Sequence, residues 1–94
     1  MKVQAEVSLY PLRTTMLTES IDRFLDHVRR DGVSVETGAM SSRISGECRD
    51  LLNALSGAFE EACRHDDVVL TIKVSNACPL APDDGPAHQT KAPD

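Results

Sequence analysis

Hydrophobic and polar residues alternate at both ends of the chain, and this alternation predicts two β-strands. In residues 3–10 the odd positions are apolar and the even positions are polar or amphipathic. Residues 68–76 repeat the pattern, with apolar residues at the even positions from 68 to 74. A period of two places one face on a core and the other toward solvent. Each segment runs into a proline, Pro11 or Pro79, which removes a backbone donor and favours the end of a ladder.

Two segments between these strands repeat apolar residues at helical spacing. The first is predicted to begin with Thr18 as its N-cap and to end before Gly32, which suits the C′ position. The second is predicted to open at residues 45–47. The apolar positions of the two helices are Leu17, Ile21, Phe24, Leu25 and Val28, then Cys48, Leu51, Leu52, Leu55, Ala58, Phe59 and Ala62.

Two shorter strands are predicted between the helices. Residues 33–36 are short and β-branched, a turn is expected at residues 37–38, and a third strand runs from about Met40 to Ser45 with Ile44 in the core. The resulting order is β-α-β-β-α-β. We therefore expect an α+β, ferredoxin-like fold with a four-stranded antiparallel sheet and two helices on one face.

The composition changes where the predicted fold ends. Four of the five prolines fall at or after Pro79, among small and polar residues. Such a segment buries too little apolar surface to offset the entropy lost on ordering. We expect one folded domain over residues 1–79 and a flexible Pro-rich tail over residues 80–94.

Charge and cysteine usage exclude several classes of partner. The formal net charge of −5 and the single adjacent basic pair, Arg29-Arg30, argue against nucleic acid. No apolar run approaches the ~20 residues of a membrane span, and the first residues do not have the pattern of a secretory signal. The three cysteines have no CxxC spacing, and the histidines lie on separate segments. These features predict a cytoplasmic protein with reduced thiols and no metal or membrane partner.

The sheet face that the helices leave open is predicted to be polar without being fully charged. Ser8 and the pair Ser41-Ser42 lie near strand ends, with Tyr10 and Asn76 close to them in the predicted pattern. An ordinary solvated face is one interpretation, because antiparallel sheets tolerate water on one side. A ligand platform or a self-association face is the other interpretation. The sequence favours neither interpretation over the other.

The sequence carries no convincing catalytic constellation. No histidine lies on the strand ends that hold the serines, so a serine nucleophile lacks its base. The glycines are scattered, so they form no phosphate-binding loop. Arg13 follows the first strand, as in small ferredoxin-like phosphatases, but without the glycine-rich loop that such enzymes need. We therefore predict a protein that is not an enzyme.

Three segments of the sequence, taken together, resemble those of one protein family. They are Gln4–Leu12, Gly38–Ser42 with Ile44–Gly46, and Val74–Pro79. In this order and spacing they are similar to the thiamine/hydroxymethylpyrimidine-binding family, over about residues 2–79. The resemblance implies non-enzymatic binding of thiamine or its pyrimidine moiety, with no other cofactor. It also implies assembly into homodimers or homotetramers through the open sheet faces.

The family's ligand-binding groups transfer to this chain residue by residue. They are hydroxyl and backbone groups of the first strand and of the turn into the third strand, which here are Ser8, Ser41 and Ser42. Serine suits an aminopyrimidine because its hydroxyl both donates and accepts hydrogen bonds. Further candidates follow from residue chemistry: apolar walls from Tyr10, Met40 and Leu12, a charge partner for a cationic thiazolium in Glu6 or Glu36, and Asn76 as a ligand contact or strand cap.

Two other hypotheses stay open at this point. A structural or regulatory ferredoxin-like module would assemble through the same open face and sense another small metabolite. A small enzyme would use Arg13 as its catalytic residue. Binding of thiamine or hydroxymethylpyrimidine separates the leading hypothesis from the first of these, and an activity abolished by Arg13→Ala would favour the second.

Overall fold

The computed structural model describes residues 1–77, and within them the predicted element order is confirmed. The predicted tail and the residues from Cys78 onward lie outside the described residues. The strands are β1 (Lys2–Leu12), β2 (Ser34–Thr37), β3 (Ser42–Glu47) and β4 (Asp67–Ser75), and the helices are α1 (Leu17–Arg30) and α2 (Cys48–His65). The fold is α+β and ferredoxin-like.

The four strands form one antiparallel sheet in the order β2-β3-β1-β4. β1 is central: residues Lys2 to Val7 lie opposite β3, and residues Gln4 to Leu12 lie opposite β4. Both registers run without a bulge, so the alternation of side chains is preserved along the whole of β1. β2 and β4 are the two edges of the sheet.

The core lies between the helices and one face of the sheet, as the alternation predicted. The odd residues of β1 from Val3 to Leu9 are buried, while Glu6 and Tyr10 on the other face are exposed. Ile44 of β3 lies opposite Ala5 and is fully buried. The helix residues that complete the core are Phe24, Leu25, Val28, Leu51, Ala54, Leu55, Ala58 and Ala62.

The predicted start of the first helix is wrong, and its predicted end is confirmed. Met16 occupies the N-cap position of α1, so Thr18 lies inside the first turn. Thr14 Oγ1 accepts a hydrogen bond from the Met16 N–H at 3.0 Å, and this side-chain turn precedes the helix. Gly32 has φ of +85° and donates its N–H to the Arg29 carbonyl at 3.0 Å, as a C′ glycine does.

The third strand starts and ends later than predicted. Residues 45–47 belong to β3 because they pair with residues 2–4 of β1, so they do not open the second helix. α2 begins at Cys48, whose N–H donates to the Met1 carbonyl at 2.8 Å. The backbone of the chain start thus satisfies one donor of the helix N-terminus. Met40 lies in the turn rather than in the strand.

Candidate ligand site at the end of the first strand

The second half of β1 has a neighbour on one side only. β3 starts at Ser42, opposite Val7, whereas β1 continues to Leu12 against β4. Residues beyond Val7 therefore have no strand beside them on the β3 side. This gap lies between the end of β1, the first turns of α1 and the β2–β3 turn.

The hydrogen-bonding pattern shows which backbone groups face this gap. The bond from the Cys48 N–H to the Met1 carbonyl marks those two opposite residues as a hydrogen-bonded pair. In an antiparallel ladder a hydrogen-bonded pair recurs at every second residue, so residues 1, 3, 5 and 7 direct their backbone N–H and C=O toward β3. Leu9 is the next residue of β1 that faces this side. Leu9 thus directs its N–H and C=O toward the gap. None of the turn and loop hydrogen bonds in residues 1–77 uses them.

Pro11 fits the same alternation. Its backbone nitrogen faces the side of β1 that has no neighbouring strand, and proline has no N–H to leave unpaired there. A proline inside a sheet is tolerated where its nitrogen does not serve a ladder. Pro11 therefore continues the pairing with β4, opposite Val68, instead of ending the strand as its sequence position suggested.

The gap opens into a cavity of about 340 Å³, which we call the helix-side cavity. Its wall is predominantly apolar, and α1 contributes a large part of it. No Asp, Glu, Lys, Arg or His belongs to this lining, so the cavity is uncharged. The lining residues are Val7, Ser8, Leu9, Tyr10, Pro11, Leu17, Ile21, Phe24, Leu25, Thr37, Gly38, Ala39, Met40, Ser41 and Ser42.

Ser42, a buried residue, places a hydroxyl in this apolar wall. It lies opposite Val7, so its side chain is on the helix-covered face, and it is only 7% exposed. None of the side-chain hydrogen bonds found in residues 1–77 involves Ser42. In residues 1–77 the buried side-chain atom without a partner is His27 Nδ1 and not Ser42 Oγ, so the Ser42 hydroxyl still reaches the space of the cavity, where a ligand can bond to it.

The turn beside Ser42 is closed by a tight backbone contact. The Gly38 N–H donates to the Ser41 carbonyl at 2.9 Å. A Cβ at Gly38 would lie 2.7 Å from the same oxygen, which is closer than real Cβ atoms come. Glycine is therefore required here for close approach of the backbone, and it fixes the turn that forms one side of the cavity.

The open face of the same turn is charged, in contrast to the cavity. Arg43 lies between Glu36 and Glu6 across the sheet, with its guanidinium 3.4 Å from Glu36 Oε1. Glu6 accepts a hydrogen bond from the Ser41 hydroxyl at 2.8 Å and lies 3.7 Å from Lys73 Nζ. A hollow of about 180 Å³ forms here, lined by both glutamates and by the turn.

The structure brings together most, but not all, of the residues singled out in the sequence. Ser8, Tyr10, Met40, Ser41 and Ser42 all line the helix-side cavity. Their side chains divide between the two faces of the sheet, however. The even residues of β1 point to the open face and Ser41 faces Glu6 there, whereas Ser42 lies on the helix side.

Asn76 and Leu12 lie outside this group. β1 and β4 are antiparallel, so the end of β4 lies at the start of β1, with Ser75 opposite Gln4. Four residues of strand separate that point from Ser8, or about 14 Å. The two strand ends of the sequence pattern are thus at opposite ends of the sheet. Leu12 is exposed and does not line the cavity.

Arg13 also lies apart from the cavity. Its guanidinium is paired with the Asp67 carboxylate at the start of β4, and its backbone is left-handed, with φ of 55°. It is absent from the cavity lining. In residues 1–77 no cluster of His, Cys, Asp or Glu has the arrangement of a metal site, and no helix is long and apolar enough to span a membrane.

The α1 wall of the cavity was missed in the sequence. Leu17, Ile21 and Phe24 were assigned to the core by their helical spacing, and all three line the cavity; Leu17, however, is 48% exposed and lies outside the core. One signal for this role was present: in a β-α connection the first helical turns must lie beside the end of the preceding strand. Thr37 was taken as a turn residue and also belongs to the lining.

Fold and cavity together define a class: a small ferredoxin-like protein with an uncharged pocket where the central strand loses one neighbour. The comparisons with known proteins make this assignment specific. Residues 2–81 match the YKOF-related family, so the chain belongs to that family. This match names no ligand, so the resemblance to thiamine- or hydroxymethylpyrimidine-binding proteins stays a prediction. None of the curated proteins matches the chain.

Solved structures share the fold over nearly the whole described chain. The hypothetical protein MJ1052 from Methanocaldococcus jannascii has 26% identity and a TM-score of 0.74, over 85% of this chain and 84% of that one. A domain of unknown function, DUF77, from Bacillus cereus has 24% identity and a TM-score of 0.73, over 89% of this chain and 86% of that one. The protein TM0486 from Thermotoga maritima has 18% identity and a TM-score of 0.76, over 93% of this chain and 97% of that one. Its name gives it a suggested role in thiamine biosynthesis or salvage.

Proposed function

We propose that this protein binds thiamine or its hydroxymethylpyrimidine moiety, without catalysis, in the helix-side cavity. The observation that carries the proposal is the free backbone edge of Leu9 beside the Ser42 hydroxyl, inside a cavity without charge. A volume of about 340 Å³ and a wall that is apolar except for a few polar groups are typical of small-molecule sites.

An aminopyrimidine has the hydrogen-bonding pattern that this edge requires. Its exocyclic amine donates, and the adjacent ring nitrogen accepts, so the two can meet the Leu9 C=O and N–H at once. The other ring nitrogen then accepts from a hydroxyl such as that of Ser42. Pairing all these groups removes the cost of leaving buried polar atoms without partners, and this gives selectivity for a heterocycle over an apolar ring.

The charge distribution supports the unphosphorylated forms of the ligand. The cavity lining has no cation to meet a phosphate, and Arg43 and Lys73 on the open face are already beside glutamates. The open-face hollow is lined by Glu6, Glu36 and Arg43, so its lining carries one net negative charge, which would instead favour the positive thiazolium of thiamine. We therefore rank thiamine and the free pyrimidine above a phosphate ester.

The proposal includes self-association through the open sheet face and a cytoplasmic location. The open face carries neutral polar residues in the row Ser34, Ser45, Gln4 and Ser75, which a second sheet can cover without burying unpaired charge. The name of TM0486 and membership in the YKOF-related family support the ligand class.

Isothermal titration calorimetry with thiamine, hydroxymethylpyrimidine and thiamine phosphate tests the proposal. We expect Ser42→Ala to weaken binding of the first two about tenfold, because it removes one buried hydrogen bond. Ser45→Ala is the matched control: it lies on the same strand but on the open face, outside the cavity lining, and should leave affinity unchanged.

Two outcomes would contradict the proposal. Equal affinities for wild type and Ser42→Ala would mean that the ligand lies elsewhere, for example at the open-face hollow beside Glu6. No heat and no thermal shift at millimolar ligand would remove thiamine and its pyrimidine altogether. The structural or regulatory module that senses a different metabolite would then be the better description.

A further inference from the structure

Thr37 places a second hydroxyl beside Ser42 on the helix side of the sheet. It is the last residue of β2 and lies directly opposite Ser42 of β3. The preceding residue, Glu36, is paired with Arg43 on the open face, so the alternation of the strand places Thr37 on the other face. Residues directly opposite each other have Cβ atoms about 4.5–5.5 Å apart, so the two hydroxyls are neighbours in the cavity wall.

The surroundings of Thr37 differ from those of Ser42. Ser42 is buried and lines the helix-side cavity, whereas Thr37 is exposed and lines both this cavity and the open-face hollow. Thr37 therefore lies where the two spaces meet. The Ser41 hydroxyl at the same junction already donates to Glu6 at 2.8 Å. None of the side-chain hydrogen bonds found in residues 1–77 involves Thr37, so its hydroxyl can bond to a ligand.

The chemistry of an aminopyrimidine gives these two hydroxyls different partners. When the amine and the adjacent ring nitrogen meet the backbone of Leu9, the second ring nitrogen is directed to Ser42. One ring carbon separates this nitrogen from the carbon that carries the 5-substituent, so the substituent points to the neighbouring hydroxyl of Thr37. In free hydroxymethylpyrimidine this substituent ends in a hydroxyl. In thiamine it is a methylene group bonded to the thiazolium.

We propose that Thr37 hydrogen-bonds to the hydroxymethyl oxygen and so makes the site specific for the free pyrimidine. This specificity rests on the proposed function and decides between its two ligands. A threonine hydroxyl both donates and accepts, so it can pair with an alcohol in either direction. Thiamine has no hydroxyl at this position, and its thiazolium must extend past Thr37 into the open-face hollow. A site that hydrogen-bonds a ligand hydroxyl discriminates against analogues that lack it.

Calorimetric titration with three related ligands tests the role of Thr37. They are hydroxymethylpyrimidine, the same pyrimidine with methyl in place of hydroxymethyl, and thiamine. Thr37→Val keeps the shape of the side chain without its hydroxyl. We expect it to weaken binding of hydroxymethylpyrimidine about fivefold, as the loss of one partly exposed hydrogen bond would. The affinities for the methyl analogue and for thiamine should stay within about twofold of wild type, because neither ligand makes this bond.

Three further variants serve as controls. Thr37→Ser should keep the wild-type preference, because it retains the hydroxyl. Thr71→Val is the matched control: Thr71 is also an exposed threonine in a strand, but it lies in β4 outside both linings, so all affinities should be unchanged. Ser42→Ala should weaken all three ligands alike, since they share the ring nitrogen. Thr37 and Thr71 are exposed, so thermal melts should show equally stable chains.

Two results would overturn the specificity, and they can be told apart. If Thr37→Val weakens all three ligands equally, or none of them, Thr37 does not meet the hydroxymethyl group, although the cavity remains the ligand site. If wild type binds none of the three, the proposed function itself fails, and the specificity fails with it.

Discussion

The two halves of β1 have the same alternating sequence but different surroundings. Residues 2–7 have β3 on one side and, from Gln4 onward, β4 on the other, and the N-terminal ammonium of Met1 closes this end with a 2.9 Å contact to Glu47. Beyond Val7 only β4 remains, and the free side opens into the helix-side cavity. One strand is therefore scaffold in its first half and candidate site in its second, and the difference is made by where β3 begins.

The largest expected effect tests the first half of β1, residues 2–7, which we call the closed half because strands lie on both sides of it. Ile44→Ala empties a fully buried position opposite Ala5, so we expect a loss of about 2–5 kcal/mol in the free energy of unfolding. Urea denaturation measures it. Met40→Ala, at a position 90% exposed in the turn, is the control and should change stability by less than about 0.5 kcal/mol. A small loss at Ile44 would show that the closed half is not the more rigid scaffold.

An intermediate effect is expected at the β2–β3 turn, which lies beside residues 8–12 of β1, the open half of the strand. Gly38→Ala forces a Cβ against the Ser41 carbonyl, so the turn must shift at a cost of about 1–3 kcal/mol. Because this turn lines the cavity, ligand affinity should also fall. Gly46→Ala is the matched control, since a Cβ there meets nothing within 4 Å and Gly46 lies in the closed half. Equal stability and affinity in the two variants would contradict a role for the Gly38 turn in shaping the site.

The smallest effect concerns pH at the closed end of β1. The hydrogen bond from the N-terminal ammonium, then its charge and that of Lys2, lower the pKa of Glu47 below its ordinary value of 4.5. A lowered carboxyl pKa stabilises the folded state above 4.5, and this contribution is lost as the pH falls through the folded-state pKa. Glu47→Gln should therefore flatten part of the stability decline below pH 4.5, and Glu60→Gln should not. Identical acid profiles for the two would show that the Met1–Glu47 contact has no effect.

The sequence predicted the scaffold better than the site, for a physical reason. Alternation and helical spacing report burial, so the buried face of β1 and residues such as Phe24 and Leu55 were identified correctly. The boundaries of β3 depend on long-range pairing with β1, which no local pattern reports. A local capping preference likewise suggested Thr18, but the chain uses Thr14 to form a turn before the helix.

The candidate site was predicted in part because the turn and the strand end are near each other in any fold of this order. The antiparallel register then separated Asn76 from Ser8, since the end of one strand meets the start of its neighbour. The free N–H and C=O of Leu9 had no signal in the sequence at all. They depend on the point at which β3 stops pairing, and every residue has the same backbone groups.

The central position of β1 also affects how the protein forms. Within the described fold, the first strand in chain order must pair with β4, the last one. Until β4 is made, β1, whose odd residues form part of the core, has a bare side, and closing it requires contacts that are distant along the chain. Such contacts slow folding, and the exposed strand favours aggregation. Yield in cells should therefore depend on how soon β4 follows the rest of the chain out of the ribosome.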